Sequence, residues 1–148
     1  MRKLFIDANI LVRIIVGKEY DFLKYLVGTE PYTSTTVLEE TAYKIIALSV
    51  IEAKREALGA YKVKKLFEKG VAEDLIKSRL TALNKLIEKL NIIPPILEDF
   101  ETSKDIITQY KLLPNDALIV AIMQRKNISL LLTLDSDFKR IPWIKVIP

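Results

Sequence analysis

Two short, continuously apolar runs, each stopped by an aspartate, restrict this chain more than anything else in its sequence. Leu4-Phe5-Ile6 ends at Asp7, and Leu130-Leu131-Leu132-Thr133-Leu134 ends at Asp135. Runs of this kind suit strands covered on both faces, as in a parallel sheet whose crossovers are helices. Between them the pattern is helical. Ile10, Leu11, Ile14 and Ile15 predict a first helix, and a second helical segment runs from about Glu19 to Val27 and stops at Gly28. Residues 31–35 read as a strand, followed by a long helix beginning near Thr36. Residues 36–90 form a long helical middle punctuated by Gly59 and Gly70, and Pro94 and Pro95 close a brief extended stretch because proline cannot continue a helix. Helices are then expected at about Glu98–Tyr110 and from Pro114 to about Arg125, strands at Ser129–Leu134 and near Trp143–Ile147, and a turn at Asp135–Asp137. Strands alternating with helices predict an α/β sandwich around a mostly parallel sheet. With 148 residues, no internal repeat and no linker-like tract, one domain over 1–148 is expected.

Composition narrows the chemistry. The chain has no Cys and no His, which removes disulfides, thiolate nucleophiles, Ser–His and Cys–His catalysis, and His- or Cys-ligated metals. Carboxylates, Lys, hydroxyls or a borrowed cation remain. The opening apolar stretch is interrupted by Asp7 and Arg13, so it reads neither as a secretory segment nor as a membrane span, and a soluble cytoplasmic protein is expected. The net charge is +4, and residues 44–89 carry eleven Lys or Arg against six Asp or Glu, whereas the rest carries twelve against thirteen. A basic middle is compatible with a polyanionic partner.

In an open parallel sheet, ligands bind at the carboxyl ends of the strands. Asp7 and Asp135 are delivered to that edge directly. Thr36 and Glu39 have capping-box spacing, which leaves Glu40 free to project from the first turn of the same helix toward the strand ends or to pair with Lys44 at i,i+4. Asp116 shares a helical face with Ile119, Val120 and Met123, so its carboxylate points toward apolar surroundings, although an acid in a first turn beside an Asn115 cap is also ordinary. Asp137 belongs to an Asp-Ser-Asp turn. Four or five carboxylates meeting at one edge would repel one another, and no Lys or Arg lies within three residues of Asp7, Asp116 or Asp135. A divalent ion is the better neutraliser, and an all-oxygen ligand set favours Mg²⁺ or Mn²⁺.

The segments FIDANIL, TSTTVLEETAYKI, PNDALIVAIM and LLLTLDSDF, in that order and spacing, resemble the PIN-domain nucleases, and most closely the VapC-type toxins of VapBC toxin–antitoxin pairs. The resemblance implies a PIN-like α/β/α sandwich and a metal-dependent endoribonuclease that leaves a 5′-phosphate and a 3′-hydroxyl. It places metal-binding acids at Asp7, Glu40 and Asp116, with Asp135 and Asp137 as the late pair, Asp135 favoured by its Thr133-x-Asp context. Asn9 and Ser34 fall where small polar residues orient the acids, or else bond locally in turns and caps. Lys62, Lys64, Lys65, Lys69, Lys77 and Arg79 are candidates for RNA phosphate contacts, and Tyr32 and Trp143 for base stacking or core packing. An antitoxin protein and a homodimer are the partners implied, and the middle of the chain is longer and more basic than in compact toxins. An inactive PIN fold serving as an RNA-binding or assembly module is the alternative, though a full acid set argues against it. A phosphatase or phospho-receiver requires a second acid where Asn9 stands, and Gly17, Gly28, Gly59 and Gly70 form no phosphate-cradling loop.

Overall fold

The computed structural model describes residues 1–148. Five strands, β1 (Arg2–Ile6), β2 (Thr29–Ser34), β3 (Asn91–Ile93), β4 (Leu130–Leu132) and β5 (Lys145–Ile147), form one sheet in the order β3-β2-β1-β4-β5. Every pairing is parallel, so all five carboxyl ends lie on one edge. From β1 the chain builds outward through β2 and β3, then crosses back to lay β4 and β5 on the other side. The order therefore reverses between β1 and β4, and such a reversal leaves a crevice outside the strand ends.

Six α-helices supply the cover: α1 (Ala8–Ile15), α2 (Thr35–Lys54), α3 (Ala60–Glu68), α4 (Glu73–Ile87), α5 (Leu97–Tyr110) and α6 (Pro114–Arg125). Leu4, Phe5, Ile6 and Leu130–Leu132 are all buried, as strands covered on both faces must be, and they pack with Ile10, Leu11, Ile119, Ile122 and Met123 into the main core.

The helical middle is three helices rather than one interrupted region. α2 ends at Lys54 because Arg55 turns left-handed (φ 55°), before any glycine is reached. Gly59 then precedes α3, and Gly70 (φ 88°) makes the turn toward α4 with a geometry that favours glycine. The far half of α2 meets α3 and α4 around a small second core of Val50, Val63 and Ile76.

Four local expectations are corrected. The segment near Glu19–Val27 is a 3₁₀ helix over Tyr20–Leu26. The Thr36–Glu39 capping box does not form, because the helix starts one residue earlier and the Ser34 hydroxyl accepts from the Val37 amide at 3.3 Å. Asn115 is not a cap either: Leu113 is the flanking residue and Pro114, with its preset φ, occupies the first helical position. The last strands are shorter than expected, Leu130–Leu132 and Lys145–Ile147, and residues 136–140 wind into a 3₁₀ helix. No helix is long and apolar enough to cross a membrane.

Candidate metal centre

Asp7 leaves β1 and caps α1 in the same step, its Oδ1 accepting from the Ala8 amide at 2.7 Å. Its backbone amide donates to Leu132 O at 3.0 Å, so the ends of β1 and β4 are stitched together there. Asp7 Oδ2 accepts from Thr133 Oγ1 at 2.7 Å and from Asn9 Nδ2 at 3.2 Å. The Thr133 hydroxyl also accepts from the Asp135 amide at 3.0 Å and from Asn9 Nδ2 at 3.1 Å, while Asn9 Oδ1 accepts from the Leu134 amide at 3.1 Å. Asp135 in turn caps the 3₁₀ helix, accepting from the Asp137 amide at 2.9 Å. One buried threonine hydroxyl thus fixes two acids that are far apart in sequence. A hydroxyl inside a leucine run was the only sign of it in the sequence.

Asp116, in the first turn of α6, comes to the same place. Carboxylate oxygens of Asp116, Asp135 and Asp137 lie within 4.8 Å of one another. Burial raises the Asp116 carboxyl most, and the charges of Asp7, Asp135, Glu40 and Asp137 add to it, pushing it to about 7. All five acids singled out in the sequence therefore share one electrostatic neighbourhood. Burial also raises Asp7; the Thr133 and Ala8 hydrogen bonds oppose that, Glu40 raises it further and Lys44 lowers it.

Cations reach only the periphery. Glu40 pairs with Lys44 across one helical turn at 3.6 Å, and Asp137 with Arg140 at 3.0 Å, both in solvent-accessible settings where such pairs contribute little. No Lys or Arg pairs with Asp7, Asp116 or Asp135. The converging carboxylates of Asp116, Asp135 and Asp137, only the last of which meets a cation, are a donor set that fits a hard divalent ion held by oxygen.

The remaining candidates divide. Asn9 bonds Asp7 directly and reaches Thr133 and Leu134 beside it. Ser34 serves its helix, bonding Val37 N and Thr36 Oγ1 (2.9 Å) and none of the acids. Lys62, Lys64, Lys65 and Lys69 are exposed on or at the end of α3. α3 packs on the far half of α2 around Val50, ten residues beyond Glu40 and so about 15 Å along that helix at 1.5 Å per residue. Lys77 is exposed on α4, whereas Arg79 is largely enclosed, donating to Ser49 Oγ at 2.8 Å and pairing with Glu52 at 2.7 Å. Trp143 precedes β5 and lines a concavity with Met123, Gln124, Asn127, Ile128 and Ser129, at the opposite edge of the sheet from the acids. Tyr32 lies within β2, its hydroxyl bonded to Glu30 and its ring packed against the main core.

Comparison with known proteins identifies the family and the fold. Two relatives from Methanocaldococcus jannaschii, both named Ribonuclease VapC, align over nearly the full length: VapC6 is 28% identical over 149 residues, covering 97% of this chain and 95% of the relative, and VapC2 is 27% identical over 146 residues, covering 98% and 93%. Among solved structures, DNA-bound VapBC from Salmonella typhimurium superposes with a TM-score of 0.67 at 17% identity, covering 99% of this chain and 98% of that one. Promoter-bound VapBC2 from Rickettsia felis gives 0.65 at 19% identity (98% and 97%), and VapC20 from Mycobacterium tuberculosis, a sarcin–ricin loop cleaving toxin, gives 0.62 at 16% (98% and 99%). These structural likenesses are at the level of the fold. The model of the PIN domain family matches residues 4–144, from the first apolar strand to the threshold of the last, and the chain belongs to that family.

Proposed function

We propose that the protein is a divalent-metal-dependent endoribonuclease of the VapC type, hydrolysing RNA phosphodiester bonds at the edge where β1, β4, α2 and α6 deliver their acids. The observation that carries this reading is the cluster of Asp116, Asp135 and Asp137, whose carboxylate oxygens lie within 4.8 Å of one another, with Asp7 and Glu40 in the same electrostatic neighbourhood and no Lys or Arg paired with Asp7, Asp116 or Asp135. The full-length similarity to relatives named as ribonucleases supplies the substrate class. Mg²⁺ or Mn²⁺ is the ion the all-oxygen set favours. When bound, it supplies a water of lowered pKa and polarises the phosphoryl oxygen, which is how a chain without histidine obtains a nucleophile at neutral pH.

The residues divide the work. Asp7, oriented by Thr133, Asn9 and the Ala8 amide, is the rigid ligand. Asp116, Asp135 and Asp137 complete the centre, with Glu40 at its margin. Asp116, its carboxyl raised to about 7, would release its proton to solvent on binding a dication. The lysines of α3 and α4 bind phosphates distant from the cut, and their separation from the acids implies an RNA long enough to reach both. The VapBC assemblies among the structural neighbours make an antitoxin protein the expected partner, and a homodimer is the state that the resemblance to VapC-type toxins implies for the single domain.

The test is cleavage of single-stranded and structured RNA with Mn²⁺ or Mg²⁺, with and without EDTA, by the parent and by Asp116→Asn. Loss of cleavage in both the chelated and the substituted samples is expected. Cleavage that survives both refutes the assignment.

A further inference from the structure

The connection between α5 and α6 carries Asp116 to the centre, and the 3₁₀ helix after β4 carries Asp137 and is capped by Asp135. Beyond the apolar core they share through Leu112, Phe138 and Ile141, these two segments are hydrogen-bonded to each other by one side chain. Arg140 Nη1 donates to the carbonyl of Lys111 at 2.8 Å, and its Nη2 donates to Asp137 Oδ1 at 3.0 Å. No other hydrogen bond links residues 111–116 to residues 135–140. The two segments need such a link. Lys111 ends α5 in a left-handed conformation (φ 57°) and Leu113, at the mouth of α6, is exposed, so Leu112, buried in the main core, is the one apolar anchor of the turn and Arg140 supplies its polar tie. Across the gap the carboxylates of Asp116, Asp135 and Asp137 repel one another. The Arg140 end is firmly placed, because Phe138 and Ile141 on either side of it are fully buried.

We infer that Arg140 is a positioning residue: a latch that holds the Asp116 segment against the Asp135–Asp137 segment and so sets the spacing of the carboxylates for a divalent ion. The planar guanidinium suits this task, since its fork meets two acceptors at once, which a lysine ammonium on a flexible stem does poorly. This role rests on the metal centre proposed above. It differs in sign from what charge alone predicts. A cation beside a metal site opposes the ion, so removing it should tighten binding; removing a latch should weaken it.

The experiment is Mn²⁺ titration without RNA, by calorimetry and by the metal-dependent rise in Tm, on the parent, Arg140→Gln and Arg140→Lys. Orientation lost from a residue supporting a metal ligand weakens affinity by roughly tenfold, and that is expected of Arg140→Gln, with Arg140→Lys weakened in the same direction despite its retained charge. Cleavage measured at saturating Mn²⁺ should show kcat nearly restored in both variants. Tighter or unchanged Mn²⁺ binding by Arg140→Gln overturns the latch, as does a variant with parental Mn²⁺ affinity and a raised KM for RNA, which would make Arg140 a phosphate contact. A parent that binds no Mn²⁺ overturns the metal centre itself and the latch with it. Arg140 is half-exposed and outside the core, and Arg140→Lys guards against a misfolded Gln variant.

Discussion

The two acids whose carboxyls are raised, Asp7 and Asp116, differ in what surrounds them. Asp7 is buried but met by three donors, whereas Asp116 is half-buried among negative charges. The folded protein therefore keeps a proton on Asp116 up to about pH 7, while the unfolded chain releases it near the ordinary 3.8. Between those values the native state binds more protons than the unfolded state, so the metal-free protein loses stability as pH rises through the window. Urea unfolding in EDTA across that range should show the decline, and Asp116→Asn should flatten it. Dication affinity should run the other way, strengthening as pH rises toward 7 and beyond. Thr133→Val tests the hub. It keeps the shape but leaves Asp7 and the Asp135 amide each short of a partner, at a cost of about 1–3 kcal/mol in urea melts and with weaker Mn²⁺ binding.

At the level of elements, the placement of Asp116 depends on how α6 is held at its other end. Asp99, buried in the first turn of α5, accepts from Arg125 Nε and Nη2 at 2.8 Å each and from the Ile96 amide at 2.9 Å. Burial works to raise its carboxyl, yet the hydrogen bonds and charge of Arg125 and the Ile96 amide hold it below the ordinary carboxylate range. Its contribution is therefore present above the ordinary 3.8 and lost as pH falls. Arg125 also donates to Pro94 O at 3.2 Å, binding α6 to the segment after β3. Arg125→Ala leaves a buried carboxylate unpaired. We expect a loss of about 2–4 kcal/mol, below the full buried-pair value because the arginine is partly in solvent, read as a lower urea midpoint with unchanged m. The helix starts were less legible than the helices. Thr36 and Glu39 have the right spacing for a cap, but β2 runs through Ser34 in register with Ile93, so the chain turns one residue sooner and Ser34 takes the role.

For the whole molecule, binding to the native state alone must stabilise it. Mn²⁺ at about a hundredfold over its dissociation constant should add about 2.7 kcal/mol, and the accompanying rise in Tm should be largely abolished in Asp7→Asn. The sequence alone determined the class of fold and the chemistry open to it, because apolar runs of strand length between helical periods leave few packings, and because a chain with neither His nor Cys has only oxygen to offer a metal. It also singled out the acids, since Asp7 and Asp135 end apolar runs and Asp116 shares a face with Ile119, Val120 and Met123. Tertiary structure decided which groups meet. The reversal of strand order sets β1 beside β4, and that adjacency joins Asp7 to Thr133 across 126 positions of sequence. It also brings Arg140 onto the carbonyl of Lys111 and carries the lysines of α3 away from the centre along α2. Local periodicity reports which face of an element is buried, but a contact between distant segments exists only once the sheet has chosen its neighbours.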